Sequence, residues 1–306
     1  MKARGAGPRK VENPAMPLPD PRLPRRTALR AAAALGLCAL GAALAGCDAA
    51  RTQALRWAGM RVIEERDTPF GRLAVVELGR KRYLAYGPGT RFVYQSVMDL
   101  DRPHELAAPY TRLMMLGAVY AEPHARMAHV GVGAGNMTAY AVRTFPSAVV
   151  HAVDVDRHAV ELGARHFGLA PHPRLHLHIE DGRRWLEASR ETFDVVMLDA
   201  YDDASIPAHL MDAGFFAVVA ARLAPAGVAM QNVYTPIVDT PRLLAAMRAS
   251  LPQVDAYRVN DSAVLAAYRG PARDRGALMA RAQQLDASLR PAHSLAELLG
   301  HRVEAI

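Results

Sequence analysis

The chain has 306 residues, of which 51% are hydrophobic and 22% charged, so it can form a full core and is not disordered throughout. Its formal net charge of +7 would suit a nucleic-acid-binding protein, but residues 1–47 hold eight basic and two acidic side chains. The remaining 29 basic and 28 acidic side chains nearly cancel, so we expect no nucleic-acid partner.

The first 47 residues have the layout of an export signal. Arg25-Arg26 precede an uncharged run from Ala31 to Gly46. As a helix these residues would rise about 24 Å, which is short of the roughly 30 Å hydrocarbon core of a bilayer. A basic start, a short apolar run and small residues at its end are typical of a signal that is removed after export.

The end of this run resembles a bacterial lipoprotein signal. In Leu44-Ala45-Gly46-Cys47 the cysteine would be lipidated and become the mature N-terminus. The paired arginines resemble a twin-arginine signal, and Asp48 resembles the residue that retains some lipoproteins at the inner membrane. We therefore expect an exported lipoprotein, held by a lipid anchor at the periplasmic face of the inner membrane. A cytoplasmic protein is the alternative if the leader is not real.

A small antiparallel sheet is predicted after a linker over residues 48–59. Short β-like runs separated by glycine-containing turns fill residues 60–98. They are Arg61–Glu65, Leu73–Leu78, Arg82–Tyr86 and Phe92–Val97. A helix is predicted next, over Pro109–Tyr120, because proline suits the first turn of a helix.

Residues 99–270 then alternate between strands and helices, which predicts an α/β fold with a doubly wound, Rossmann-type parallel sheet. The predicted strands are Met127–Val132, Ala148–Asp154, Arg174–Ile179, Phe193–Asp199 and Val228–Val233. Helices are predicted over Met137–Thr144, His158–Phe167, Arg183–Ser189, Ala213–Leu223 and Pro241–Ser250. Only Arg174–Ile179 alternates between polar and apolar residues, which favours an edge strand.

A hairpin closes the predicted sheet, formed by Val254–Val259 and Ala263–Tyr268. An antiparallel pair that ends a parallel sheet is typical of the S-adenosylmethionine-dependent methyltransferase fold. Residues 271–306 are predicted to form helices on the outside of this domain.

The turn after the first parallel strand carries glycines at alternate positions, Gly131, Gly133 and Gly135. Such glycines allow a sharp strand-to-helix turn and let a ligand touch the backbone. Several nucleotide-binding folds share this pattern, so the surrounding residues must identify the ligand. A dehydrogenase is the less favoured reading, because Asn136-Met137 follow where a dinucleotide motif would continue to a third glycine.

Acidic residues end the next strands. Asp154 follows the second parallel strand and can accept hydrogen bonds from both ribose hydroxyls of an adenosine. Asp181-Gly182 follow the third strand, where a carboxylate could accept the adenine amino group. Asp199 and Asp202 follow the fourth. Because ligands of open α/β sheets bind at the carboxyl ends of the strands, the order predicts an adenosine-type ligand.

These motifs together resemble the spermidine synthase (polyamine aminopropyltransferase) family over about residues 61–268. The resemblance implies decarboxylated S-adenosylmethionine as cofactor and a small amine, such as putrescine, as acceptor. By position, Gln95, Asp154 and Asp181 match the cofactor contacts of the family, and Asp199 and Asp202 match its catalytic Asp-x-x-Asp. A divergent, synthase-like branch is indicated by Ile206–Leu210, Pro109–Arg112 and Gln231–Val233. The resemblance leaves a homodimer open.

The sequence departs from the family at two positions near the expected site. Ala134 stands where the family has an acid facing the aminopropyl nitrogen. Arg112 stands where the family has a glutamate, which would put a base beside the amine site. A late segment rich in proline and aromatic residues has no counterpart. The acceptor amine is therefore left open.

Aminopropyl transfer requires an acceptor amine that has lost its proton, so that its lone pair can attack. We predict Asp202 as the base and Asp199 as the bridge between cofactor and acceptor. The nearness of the two acids should raise the pKa of one of them. Tyr201 is predicted to line the acceptor channel, and Tyr110 to hydrogen-bond the amine.

Two other functions remain open. Ala134 favours ordinary S-adenosylmethionine, and thus a methyltransferase acting on a small nucleophile. A lipoprotein that binds polyamines or nucleosides without catalysis is the third reading, because the cofactor should be scarce outside the cytosol. We expect no metal site, since both cysteines, Cys38 and Cys47, lie in the leader and the histidines of the edge strand suit an exposed face.

Overall fold

The structure is a computed structural model that describes residues 59–87, 93–202 and 205–304. The predicted export signal over residues 1–47, including Cys47, lies outside the described residues, as does the predicted linker except for its last residue. The described residues form two β-sheets and the helices that cover them. No helix among them is long and apolar enough to cross a bilayer.

The first sheet is antiparallel, with its four strands in chain order. They are β1 (Met60–Thr68), β2 (Gly71–Leu78), β3 (Lys81–Tyr86) and β4 (Val93–Asp99). This sheet is the one that the spacing of glycines and β-like runs predicts. Each of its strands extends beyond the predicted bounds at one end or both.

The second sheet has eight strands in the order β12-β10-β11-β9-β8-β5-β6-β7. The strands from β7 to β9 in that order run parallel, while β11, β10 and β12 continue the sheet antiparallel. This arrangement confirms the predicted fold, a doubly wound sheet that ends in an antiparallel hairpin. The bounds are β5 Arg126–Val130, β6 Val149–Asp154, β7 Leu175–Ile179, β8 Phe193–Leu198, β9 Leu223–Tyr234, β10 Gln253–Val259, β11 Ser262–Tyr268 and β12 Arg302–Val303.

Helices connect the parallel strands and cover both faces of the second sheet. Along the chain they are α1 Pro109–Met114, α2 Gly117–Tyr120, α3 Asn136–Thr144, α4 Arg157–His166, α5 Gly182–Ala188, α6 Ala213–Arg222, α7 Thr240–Arg248, α8 Arg275–Leu289 and α9 Leu295–Leu299. A short 3₁₀ helix, Ala208–Leu210, precedes α6.

The helical stretch predicted over Pro109–Tyr120 is present, and it consists of two short helices. The second helix begins at Gly117, a residue with low helix propensity. A Cβ atom there would lie 2.5 Å from Cγ1 of Val195 on β8. Close contact with the sheet at this glycine therefore redirects the chain.

The edges of the second sheet differ in how well the sequence predicts them. β7 forms one edge, as its alternating pattern indicates, and Leu177 and Ile179 on it are exposed. At the other edge, β12 is a two-residue strand that the sequence analysis did not predict. Two residues are too few to show a periodic pattern.

The small sheet rests on the larger domain through one apolar face. Leu73, Val75 and Leu84 are fully buried in a cluster that includes Ala134 of the glycine loop and Leu162 of α4. The contact brings β4 to the glycine loop, where the candidate site lies.

Candidate active site

The carboxyl ends of the parallel strands meet at one edge of the second sheet. The backbone N–H of Asp199 donates to the carbonyl of Val130 at 2.8 Å, which joins the ends of β8 and β5. The N–H of Glu180 donates to the carbonyl of Asp154 at 3.1 Å and joins the ends of β7 and β6. The predicted site residues on these strand ends therefore share one rim of the sheet.

The glycine loop depends on its glycines for conformation and for space. Gly131, Gly133 and Gly135 have φ values of +89°, +54° and +78°, which disfavour any side chain. A Cβ atom at Gly131 would lie 2.5 Å from the carbonyl oxygen of Asp199, and one at Gly133 would lie 2.8 Å from Oγ of Ser96. The loop backbone therefore runs directly beside both Asp199 and β4.

β4 supports this loop through Ser96, whose hydroxyl accepts a hydrogen bond from the N–H of Ala134 at 2.9 Å. Gln95 precedes it and is half-buried, and its side-chain amide makes no hydrogen bond with the described residues. The amide is thus available to a ligand at the predicted position. Our sequence analysis missed the role of Ser96, for which its place beside Gln95 was the only signal.

Asp154 holds the loop from the other side. Its Oδ2 accepts hydrogen bonds from the N–H groups of Val132 and Gly133 at 2.7 and 2.8 Å, and Oδ1 accepts one from the N–H of Asp156 at 2.9 Å. Burial raises the pKa of Asp154, against these three hydrogen bonds. Each carboxylate oxygen can accept two hydrogen bonds, so Oδ1 retains one position for a ribose hydroxyl.

Asp181 begins α5 and is paired with a residue that the sequence analysis did not assign to the site. Its Oδ1 accepts from the N–H of Arg184 at 3.0 Å, and its Oδ2 lies 2.7 Å from Nε2 of His209. Burial acts to raise the pKa of Asp181, but these hydrogen bonds bring it below the usual value. An adenine whose amino group bound this carboxylate would have to share it with His209.

The packing of α5 against the sheet requires a glycine at Gly182. A Cβ atom there would lie 2.2 Å from Cγ1 of Val130 on β5. The glycine lets the helix begin against the sheet and so sets the position of Asp181 at the rim.

Asp199 is the most strongly perturbed acid of the site. Its Oδ1 accepts a hydrogen bond from Nδ2 of Asn232 at 2.8 Å, and its Oδ2 accepts one from the hydroxyl of Tyr110 at 3.1 Å. Burial raises the pKa of Asp199 to about 7, although both hydrogen bonds lower it. The cause is loss of solvent, not the nearness of Asp202 that the sequence analysis invoked. Tyr110 lies at the site, where it contacts the acid.

Asp202 and Tyr201 follow Asp199 but differ from it in surroundings. Asp202 is exposed, and its Oδ1 accepts from the N–H of Ser205 at 2.8 Å within a turn. Tyr201 is half-buried against the core, and its hydroxyl donates to the carbonyl of Asn232 at 3.1 Å and accepts from the N–H of Tyr234 at 2.8 Å. Tyr201 therefore ties the segment after β8 to β9.

The two departures from the family pattern turn away from Asp199. Arg112 donates to the carbonyl of Leu106 at 2.8 Å, and residues two positions apart on a helix, such as Tyr110 and Arg112, face nearly opposite directions. The expected base beside the amine site is therefore wrong. Ala134 is fully buried in the apolar cluster under the small sheet. No cluster of three metal-ligating side chains occurs among the residues that the structure describes.

Sequence comparison relates the chain to proteins with a known domain. Residues 109–264, just over half of the chain, match the spermine/spermidine synthase domain. The polyamine aminopropyltransferase of Chromobacterium violaceum is 27% identical over 220 residues, which cover 69% of this chain and 82% of that protein. A probable polyamine aminopropyl transferase of Bifidobacterium longum is 31% identical over 104 residues, which cover 34% of this chain and only 23% of that longer protein.

Solved structures share the fold. A probable spermidine synthase from Corynebacterium glutamicum has a TM-score of 0.60 and 18% identity, over 76% of this chain and 95% of that one. Human methyltransferase-like protein 13, in complex with SAH, has a TM-score of 0.56 and 23% identity, over 61% of this chain and 95% of that one. With its glycine loop, its acids on the strand ends and this domain match, the chain belongs to the spermine/spermidine synthase domain family.

Proposed function

We propose that the chain transfers an aminopropyl group from decarboxylated S-adenosylmethionine to a small amine. The observation that carries this proposal is Asp199, a carboxylate at the rim of the sheet whose pKa is raised by burial to about 7. A group with such a pKa can accept a proton near neutral pH and release it again. The acid lies directly beside the glycine loop, where the nucleoside would bind.

The residues present fit a nucleoside. Asp154 retains an acceptor position for a ribose hydroxyl, and the glycine loop offers backbone that a ligand can approach. The side chain of Gln95 adds an unused amide on the β4 side. When bound, the sulfonium cofactor supplies a carbon whose bond to sulfur breaks as a new bond to nitrogen forms.

Asp199 would prepare the acceptor for this displacement. An ammonium has no lone pair, so one N–H bond must break, and its proton would move to the Asp199 carboxylate. Tyr110 keeps the second carboxylate oxygen in place through its hydroxyl. This role is the one that the sequence analysis gave to Asp202. The exposed Asp202 is better suited to attract a cationic amine towards the site.

One observation favours methyl transfer from ordinary S-adenosylmethionine as a second candidate. Ala134 is fully buried in the cluster under the small sheet, so this position supplies no acid that could bind an aminopropyl nitrogen or repel the carboxylate of ordinary S-adenosylmethionine. The two candidates share the nucleoside site and differ in which carbon is transferred.

A dual-label experiment tests the two candidates on the whole chain. The protein is given each sulfonium compound, labelled in the transferred carbons, with a series of amines, and the products are identified by mass spectrometry. We expect label to reach an amine as an aminopropyl group and Asp199→Asn to abolish the transfer. Asp67→Asn is the matched control, because Asp67 is an exposed aspartate on β1 whose loss should leave the rate unchanged. Transfer of a methyl group would support the second candidate, and no transfer to any amine would refute aminopropyl transfer.

A further inference from the structure

One buried amide holds the acid at the centre of the site. Asn232 lies on β9, is 5% exposed and donates from Nδ2 to Oδ1 of Asp199 at 2.8 Å. β9 is a long central strand between β8 and β11, so the amide stands on a rigid element. A donor fixed in this way sets the direction of the carboxylate it contacts.

The same residue also holds the segment that carries Asp199. The backbone carbonyl of Asn232 accepts hydrogen bonds from the Tyr201 hydroxyl at 3.1 Å and from Nε2 of Gln231 at 2.8 Å. Asp199 is thus held by the side chain of Asn232, and Tyr201, two residues later, by its backbone. Asp199 and its segment are anchored at one place on β9.

The other half of the Asn232 amide has no structural use among the described residues. Its Oδ1 is buried and accepts no hydrogen bond there. A buried carbonyl oxygen without a donor lowers stability, so stability alone does not explain an asparagine at this position. Within the described part of the chain, the side-chain amide of Asn232 has one hydrogen-bond partner, Asp199.

We infer that Asn232 is a positioning residue that orients Asp199 and stabilises its ionised form, the form able to take a proton from the acceptor. The inference rests on the proposed function, in which Asp199 accepts that proton. The amide N–H donates to an oxygen that carries negative charge, so it favours the carboxylate over the neutral acid. In agreement, the hydrogen bond from Asn232 lowers the pKa of Asp199 against the effect of burial.

The test compares Asn232→Leu, a change of similar size, with the wild-type chain. We expect kcat/KM to fall about a hundredfold. The acidic limb of its pH profile should move to higher pH, while the KM for the nucleoside substrate changes little. A second measurement needs no acceptor amine: ¹³C NMR titration of labelled aspartate carboxyls, with Asp199 assigned through Asp199→Asn. The Asp199 titration should also move to higher pH.

Gln231→Leu is the matched control. Gln231 is a buried amide on the same strand, and it donates to the backbone oxygens of Leu198 at 3.3 Å and Asn232 at 2.8 Å. We expect this variant to lose stability without moving the Asp199 titration. If Asn232→Leu does not fold, Asn232→Asp serves in its place, because a second carboxylate also raises the pKa of Asp199.

The outcomes separate the inference from the proposed function. An Asp199 titration that does not move in either Asn232 variant would overturn the inference, whatever the loss of activity. A titration that moves equally in Gln231→Leu would also overturn it, since any damage to β9 would then suffice. If the wild-type chain transfers no group to any amine but its Asp199 titration shifts in Asn232→Leu, the orienting role is supported and only the proposed function fails.

Discussion

Burial of the Asp199 carboxylate lowers the stability of the fold at neutral pH. Its carboxylate is withdrawn from water, and the hydrogen bonds from Tyr110 and Asn232 compensate only in part, so its pKa stays near 7. The folded protein therefore binds this proton more tightly than the unfolded chain does. Stability from this group is complete below about pH 4 and is lost as the pH rises through 7.

The first prediction follows from this linkage. Asp199→Asn removes a carboxyl group whose ionisation destabilises the folded state. The variant should therefore have a free energy of unfolding at pH 8 that is higher by about 2 kcal/mol. The gain should be smaller at pH 5, where the native Asp199 is largely protonated, and it should vanish only below about pH 4. Urea denaturation of both proteins at the two pH values measures the difference. An equal gain at both values would contradict the proposed protonation of Asp199.

Among the elements, the glycine loop is held between two supports. Asp154 binds its amides from β6, and Ser96 binds it from β4. The contact with Ser96 leaves no room for a side chain at Gly133, where the backbone is also left-handed. Sequence spacing predicts the loop, but its closeness to β4 depends on how the small sheet is placed.

Gly133→Ala should therefore cost more than conformational strain alone. We expect it to lower the melting temperature and to weaken binding of 5′-methylthioadenosine, measured by calorimetry, because the new Cβ would displace Ser96. Gly168→Ala is the control: Gly168 also has a positive φ, of +75°, but a Cβ atom there would meet no other atom within 4 Å. That variant should lose only about 1 kcal/mol and keep its affinity. Equal losses in the two variants would show that the contact with Ser96 is unimportant.

A group of charged side chains joins β1 to α4. Glu64 hydrogen-bonds His166 at 2.7 Å and Arg66 at 3.1 Å, and also pairs with Arg165. The hydrogen bond to His166 contributes most to the low pKa of Glu64, which is about 2. Because this pKa is depressed, the stability that it provides is present above about pH 4.5 and is lost as the pH falls towards 2.

Glu64→Gln should lower the free energy of unfolding at pH 7 by about 1 kcal/mol, as expected for a partly exposed network of ion pairs. The difference from wild type should shrink at pH 3, which chemical denaturation at the two pH values would reveal. Glu187→Gln is the comparison, since Glu187 pairs with Arg183 on α5 and does not touch the small sheet. Were its loss as large as that of Glu64→Gln, the contact between β1 and α4 would have no special weight.

For the whole molecule, the sequence predicts those strands and helices that are long enough for their pattern of buried residues to be recognised. The inner strands, such as β5 and β8, are mostly apolar because both of their faces are covered, and β7 alternates because it lies at an edge. The split at Gly117 and the strand β12 could not be predicted, since they depend on contact with distant segments. The same is true within the site, where His209, a partner of Asp181, and Asn232, a partner of Asp199, lie 28 and 33 residues further along the chain.

Export remains a proposal about residues outside the described ones. If the leader is a lipoprotein signal, cells that express the whole chain should incorporate labelled palmitate into it, and Cys47→Ala should abolish both labelling and recovery in the membrane fraction. Cys38→Ala is the matched control, because Cys38 lies within the apolar run and should not be modified. Labelling that persists in Cys47→Ala, or that is absent in the unaltered chain, would contradict the proposal.

The hydroxyl of Ser96 offers a way to detect ligand binding at the glycine loop. It forms a hydrogen bond between the glycine loop and β4 of the small sheet. A ligand that steadies the loop should also slow hydrogen–deuterium exchange along β4, even at amides that it never touches. Slower exchange in the small sheet would then indicate binding at a distance from the ligand. In Ser96→Ala this slowing should be lost while the ligand still binds.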